Sequence, residues 1–211
     1  MRSRIGIFGG TFDPVHHGHL RLALEIKQQL QLDEMRLMPC HRPPHRAAPG
    51  VTSQQRVAMV RLAIEHCPAL QVDERELKRE QASYTIDTLI DLRRELGDEA
   101  SLLWVLGMDA FIGLDTWHRW QELLDYAHLV VVARPGFSLP VNGQVAELLL
   151  AKQVSASALA ERAQGGIFLP DLGLLPISST AIRAQIARGQ SPQYLLPEAV
   201  WDYIVSGRFY Q

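Results

Sequence analysis

The hydrophobic positions change period along the chain, and each change marks an element. The run Ile5-Gly6-Ile7-Phe8 is short and unbroken, and Gly9-Gly10 stops it, as expected of a strand buried on both faces. From residue 20 the spacing turns helical: Leu20, Ala23, Leu24 and Leu30 recur with Glu25, Lys27, Gln28 and Gln29 between them. Arg36-Leu37-Met38-Pro39 predicts a second strand closed by proline. A second helix is expected over 56–67, carried by Val57, Val60 and Ile64, with Ser53 as its N-cap. A third is expected over 85–96. Leu102-Leu103-Trp104-Val105-Leu106 then reads as a strand ending at Gly107, and Leu129-Val130-Val131-Val132 is the most β-like run, stopped by Pro135-Gly136. Residues 137–175 carry a weaker pattern, with Gly165-Gly166 expected in a loop. A helix follows Ile177-Ser178-Ser179-Thr180 to about Arg188, and another over 198–204 closes the chain.

Strands alternating with helices argue for an α/β fold: a Rossmann-like, doubly wound parallel sheet with helices on both faces and a small helical C-terminal part. Ligands of such sheets sit beyond the carboxyl ends of the strands, so the segments after Phe8, Met38, Leu106 and Val132 are the places to look. Composition narrows the classes further. A chain of 211 residues that is 47% hydrophobic and 21% charged can bury the core of one full-sized domain, taken here as 1–211. Lys+Arg 21 against Asp+Glu 23 leaves a net charge of −2, without the basic footprint of a general nucleic-acid binder. The longest apolar stretch, 102–114, is interrupted by Asp109, so no membrane span is expected. Residues 1–7 hold no long apolar run, so a secretory leader is not expected there. Cys40 and Cys67 form no C-x-x-C pair, which fits a reducing cytoplasm.

The richest segment is Gly9-Gly10-Thr11-Phe12-Asp13-Pro14-Val15-His16-His17-Gly18-His19. Two glycines at a strand end let the backbone approach a ligand closely. His16 and His19 stand three apart at a helix start, so their imidazoles share one face of its first turn. The positive end of that helix and its free N–H groups address the same space, which suits a phosphate. Two other anion motifs are absent: the glycines do not make G-x-G-x-x-G, and no Gly-Lys pair occurs. By themselves the two histidines also read as zinc ligands or as surface residues. No third ligand and no H-E-x-x-H accompany them, so no protein-held metal is expected. A second segment, Ile177-Ser178-Ser179-Thr180-Ala181-Ile182-Arg183, brings hydroxyls and N–H groups to another helix N-terminus. Arg183 follows Thr180 by three and Ser179 by four, and leans toward the same anion.

Together, GGTFDPVHHGH and ISSTAIR resemble the signature of the nucleotidyltransferase superfamily with the (T/H)xGH motif, here His16-His17-Gly18-His19. More narrowly, the chain is similar to the bacterial nicotinic acid mononucleotide adenylyltransferases over essentially its whole length. That likeness is carried by Pro43-Pro44-His45-Arg46, by Ser83-Tyr84-Thr85, and by Gly107-Met108-Asp109 followed by Trp117. The resemblance implies that ATP and nicotinic acid mononucleotide give nicotinic acid adenine dinucleotide and pyrophosphate, in NAD biosynthesis. It implies that Gly9, Gly10, Thr11, Phe12, Gly107, Asp109, Ile177, Ser178, Ser179 and Thr180 bind ATP alongside His16, His19 and Arg183, the three expected to be catalytic. The C-terminal segment, about 177–211, would complete this ATP site. His45, Arg46, Thr85, Trp117, His118 and Arg134 would bind the mononucleotide, and Mg²⁺ would be carried mainly by the ATP phosphates.

A phosphate monoester has its second pKa near ~6, so the attacking group is already ionised at neutral pH and no general base is expected. Catalysis is then positioning plus charge stabilisation. Asp13 is read as structural. The basic loop from Cys40 to Arg46 is either a solvated loop or a phosphate site, and Trp117 either core or a stacking platform. His118 stands where many relatives have tyrosine, and Cys40 and His41 where they often have asparagine. The rivals are an adenylyltransferase acting on the amide mononucleotide or on phosphopantetheine, a cytidylyltransferase, and a nucleotide sensor without turnover. A sensor need not keep His16, His19 and Arg183 together.

Overall fold

The computed structural model describes residues 2–41, 50–79, 83–133 and 136–211. Six strands, β1 (Arg4–Gly10), β2 (Glu34–Pro39), β3 (Gln71–Val72), β4 (Ser101–Gly107), β5 (His128–Val132) and β6 (Ile167–Phe168), form one sheet in the order β3-β2-β1-β4-β5-β6. Every pairing is parallel, with Ile7 lying opposite Arg36 on one side and Trp104 on the other. Between the strands run α1 (His17–Gln29), α2 (Ser53–Ile64), α3 (Thr85–Leu96), α4 (Met108–Ile112), α5 (Gln144–Lys152) and α6 (Ala156–Glu161). The chain finishes with α7 (Ser179–Ala187) and α8 (Glu198–Gly207). The expected doubly wound sheet is present. No helix among the described residues is long and apolar enough to cross a membrane.

Alternation along the strands builds two cores. Phe8, Leu37, Leu103, Val105, Val130 and Val132 face one side, where Ile26 of α1, Val60 of α2, Ile182 of α7 and Val200 of α8 cover them. Ile5, Ile7, Leu102, Trp104, Leu106, Leu129 and Val131 face the other, under Leu89 of α3, Phe111 of α4 and Leu149 of α5. The C-terminal helices therefore share a core with β1, α1 and α2, and are not a separate unit.

Helix α1 starts at His17 with His16 as its N-cap, the helix start expected at the histidine pair. Two expectations need correction. Helix α2 spans Ser53–Ile64, and its cap is Thr52, whose hydroxyl accepts from the Gln55 N–H while the Gln55 side chain accepts from the Thr52 N–H. Residues 137–175 hold α5, α6 and β6, elements too short for a periodic signal to stand out.

At the start of β5, His128 is fully buried. Its Nδ1 accepts from the Gly166 N–H at 3.0 Å and its Nε2 lies 3.1 Å from the Arg162 carbonyl, so the ring is neutral with its proton on Nε2. Burial holds its pKa below the usual histidine value, and the Arg93 and Arg162 charges act the same way. A depressed folded-state pKa stabilises the fold above the unfolded value of about 6.5 and loses that contribution as pH falls below it. Thermal melts of the wild type should therefore shift down between about pH 7 and pH 5. His128→Asn keeps the acceptor for Gly166 and should flatten the slope; parallel slopes would show that another group sets it.

Candidate active site

The loop after β1 is shaped by packing. Gly9 lacks a side chain because Trp104 lies across it: a Cβ there would stand 2.7 Å from Trp104 Cζ2. Phe12 turns with φ +50, a left-handed conformation that costs a residue bearing a Cβ about 1–2 kcal/mol. Burial of its ring offsets that cost. Phe12 is 2% exposed and sits edge-on to Phe8 and to His19, with ring centroids 5.6 Å and 5.0 Å away. It forms a rigid floor beneath His19.

His16 is the N-cap of α1 and is buried, and its ring stacks on that of His19 with 3.7 Å between centroids. Glycine at position 18 leaves room for this, since a Cβ there would lie 3.0 Å from His16 Nδ1 and the ring would have to give by a few tenths of an ångström. The His16 N–H donates to His19 Nδ1 at 3.3 Å. A neutral His19 therefore carries its proton on Nε2 and donates through that nitrogen.

The second motif is stitched to the first. The Ser178 hydroxyl caps α7 by accepting from the Ala181 N–H at 3.2 Å, and the Ser179 hydroxyl donates to the Pro14 carbonyl at 2.9 Å. Ser179 can thus offer an anion its main-chain N–H but not its hydroxyl proton. Thr180 is exposed at the same helix start. Arg183 donates through Nη1 to the Asp13 carbonyl at 2.7 Å, and that nitrogen lies 3.6 Å from Asp13 Oδ2. Asp13 itself is 5% exposed. Its Oδ1 accepts the Tyr210 hydroxyl at 2.6 Å and its Oδ2 the Gly50 N–H at 3.4 Å. Burial, then Asp13, push the Tyr210 phenol far above its ordinary range, so it stays a donor.

Across the sheet, Gly107 ends β4 and Asp109 lies in the first turn of α4. Thr85 begins α3, whose N-cap Tyr84 makes no side-chain cap bond. Ser83, just before it, is 6% exposed, and its hydroxyl has no hydrogen-bond partner among the described residues. Trp117 is half-buried against the core below α3. His118 is exposed, its ring 4.6 Å from that of Tyr84.

A cleft of about 1110 Å³ joins these parts at the carboxyl ends of β1 and β4. Gly9, Gly10, Thr11, Phe12, His16 and His19 line it from the first loop. Gly107, Asp109, Thr85, Trp117 and His118 line it from the β4 side, and Ile177, Ser178, Ser179, Thr180 and Arg183 from α7. His45, Arg46 and Arg134 lie outside the described residues. Sequence reasoning missed Glu76 and Trp104, which also line the cleft, and Tyr210 and Arg56, which support it. None of the four sits in a local motif. Among the described residues no group of three or more His, Cys, Asp or Glu side chains gathers as a metal site.

Paired imidazoles at a helix N-terminus stand in the crevice of a parallel sheet, where such folds bind ligands, and residues 7–185 match the family model described as Cytidylyltransferase-like. A Cellvibrio japonicus (strain Ueda107) protein named "Probable nicotinate-nucleotide adenylyltransferase" is 57% identical over 100% of both chains. An Aeromonas salmonicida (strain A449) protein of the same name is 51% identical, over 100% of this chain and 99% of its own. The chain belongs to the nicotinate-nucleotide adenylyltransferase family. The structure of Plasmodium falciparum nicotinic acid mononucleotide adenylyltransferase complexed with NaAD superimposes with a TM-score of 0.75, over 99% of this chain and 98% of that one. At 17% identity it bears on the fold alone.

Gly18→Ala tests the packing under the histidine pair. The added methyl group crowds the His16 ring by a few tenths of an ångström. A shift of about 1 Å in a reacting site costs roughly a hundredfold in rate, so nucleotidyl transfer should fall by about threefold or more while the thermal midpoint moves only a few degrees. Unchanged turnover would mean that the stacked arrangement is dispensable.

Proposed function

We propose that the protein transfers the adenylyl group of ATP to nicotinic acid mononucleotide, releasing pyrophosphate and forming nicotinic acid adenine dinucleotide. The observation that carries this reading is the His16–His19 pair, with His19 held as an Nε2–H donor, beside the α7 N-terminus. The acceptor's phosphate oxygen attacks the α-phosphorus of ATP in line with the departing pyrophosphate. His19 donates to an α-phosphate oxygen as charge builds there, and His16 holds the polyphosphate beside it. Arg183, Ser178, Thr180 and the α7 N–H groups hold the β- and γ-phosphates, while Asp109 takes the ribose hydroxyls. Mg²⁺, when bound, would be held mainly by the ATP phosphates rather than by protein ligands and would supply charge neutralisation for the leaving group. The donor set fits that arrangement: the Asp13 carboxylate is already engaged by Tyr210 and Gly50. The cytoplasm is the proposed compartment, in keeping with a chain whose Cys40 and Cys67 form no C-x-x-C pair.

On the acceptor side, Trp117 and His118 offer stacking surface for the pyridine ring, and His45, Arg46 and Arg134 are proposed for its phosphate. The orphan Ser83 hydroxyl and the uncapped start of α3 favour an acid over an amide, because a carboxylate accepts from both. Pyrophosphate release with ATP and Mg²⁺, measured in parallel with nicotinic acid mononucleotide, its amide and phosphopantetheine, tests the reading. A strong preference for the acid supports it. Equal use of acid and amide moves the protein to dual specificity, and release with phosphopantetheine alone overturns the acceptor.

His19→Ala should lower kcat by about a hundredfold or more with modest change in ATP affinity, as loss of a transition-state donor does. A loss confined to KM would remove that role. Trp117→Ala should raise KM for the mononucleotide well above any change for ATP, since it removes a surface used by one substrate. Equal effects on both would return Trp117 to the core.

A further inference from the structure

Arg56 is the largest fully buried side chain of the protein's described residues, at 0% exposure in the first turns of α2. A guanidinium taken wholly out of water carries a desolvation cost that a methionine of similar length would not. Burial accordingly pulls its pKa below the ordinary arginine value, while nearby Cys40, Asp13, Tyr210 and Glu76 act the other way. The hydrogen bonds it makes go to two loops. Nη1 donates to the Thr11 carbonyl at 2.6 Å, and Nη2 to the His41 carbonyl at 3.3 Å and the Ser53 hydroxyl at 3.0 Å.

Thr11 lines the cleft, and His41 directly follows Cys40, which lines it too. Thr11 lies between β1 and α1, in the loop proposed to meet ATP. His41 is where the chain leaves β2 toward the positions proposed for the acceptor phosphate. His41 is gripped on its other side as well. Its N–H donates to the buried Glu76 carboxylate at 3.4 Å, and its Nδ1 lies 2.9 Å from Ser53 Oγ, which in turn donates to the His41 carbonyl at 3.1 Å. Glu76 is fixed by the Thr88 hydroxyl at 3.1 Å, which Arg79 reaches at 2.7 Å. Peptide planarity adds a consequence at Thr11: pinning its carbonyl toward Arg56 turns the Phe12 N–H the opposite way.

We propose that Arg56 is a positioning residue for the transfer reaction: its buried guanidinium bridges the donor loop at Thr11 to the root of the acceptor loop at His41 and fixes the separation of the two reacting phosphates. Glu76 secures the acceptor end of the same bridge. This rests on the reaction proposed above. Arg56 touches neither substrate, and its effect is on alignment.

Arg56→Met and Arg56→Lys test the bridge, with wild type in the same pyrophosphate assay at saturating ATP and nicotinic acid mononucleotide. Wild type that fails to turn over refutes the proposed reaction and, with it, any role for the bridge in that reaction; active wild type isolates the bridge. Arg56→Met fills the space without the charge, so its melt should stay within several degrees while kcat falls about thirtyfold or more and both KM values change by less than about threefold. Arg56→Lys keeps the charge but lacks the fork for two carbonyls, and should recover only a small part of the rate. Arg56→Gly with added guanidinium chloride provides a third readout. Recovery of rate beyond that given by equal sodium chloride supports the bridge even where the methionine variant folds poorly. A folded Arg56→Met with kcat within about threefold of wild type overturns the proposal, as does an equal salt response in the glycine variant.

Discussion

The Asp13 carboxylate accepts the Tyr210 hydroxyl across 197 positions of sequence, and the rest of the cleft depends on that junction. Asp13 is buried, and a buried carboxylate is tolerated only when its oxygens are satisfied. Tyr210 takes one oxygen and the Gly50 N–H the other, and Arg183 holds the main-chain carbonyl of the same residue. Three distant segments thereby meet at one residue of the loop after β1. The last helix shares a core with β1, but apolar packing has no direction; the charged hydrogen bonds set the register in which α7 faces α1. Each such bond contributes about 1.5–3 kcal/mol, comparable with a sizeable part of a domain's net stability.

Two buried guanidiniums show how one device serves different ends of the sheet. Arg93 donates to the carbonyls of Tyr126, Gly97, Ala100 and Ala163, all beside the points where β4 and β5 begin. It satisfies backbone acceptors at the edge of the sheet where these strands begin, away from the cleft at their carboxyl ends, and its contribution is to stability. Arg56 satisfies carbonyls at the opposite edge, beyond the carboxyl ends of β1 and β2. There the same bonds fix loops that line a large open space. The chemistry is identical, and position in the fold decides whether it holds a floor or a site.

The parts of this arrangement that were legible in the sequence are local. Helix α3 runs over the expected residues because its apolar period is clean and Gly97, at φ +76, ends it. The cap of α2 was misassigned to Ser53 although the pattern favoured its neighbour: Thr52 has Gln55 three residues on, as a capping box requires, whereas Ser53 has Arg56. Helix α6 has six residues and β6 has two, fewer than a periodic reading resolves. The site divides the same way. His16, Gly18, His19 and the 178–183 segment were readable because short motifs carry them. Arg56, Glu76 and Tyr210 act through contacts 45, 35 and 197 positions apart, which no local pattern encodes.

The reaction asks the protein to bring two ionised phosphates together, and its net charge of −2 does nothing to help. The attraction has to be local. The parallel order β3-β2-β1-β4-β5-β6 supplies the place, because the chain winds in opposite directions from β1 and β4 and their loops part at the crevice between them. Helix N-termini from α1, α3 and α7 then address that crevice with main-chain N–H groups. Dipoles and hydrogen bonds fixed by folding need no reorganisation when charge develops, so their stabilisation is available in full at the transition state. Rigidity beneath them follows as a requirement. Phe12 held against Phe8 and His19, and Arg56 held between Thr11 and His41, tie the loop after β1 to the point where the chain leaves β2, and such fixed alignment is where a reaction without a general base must find its rate.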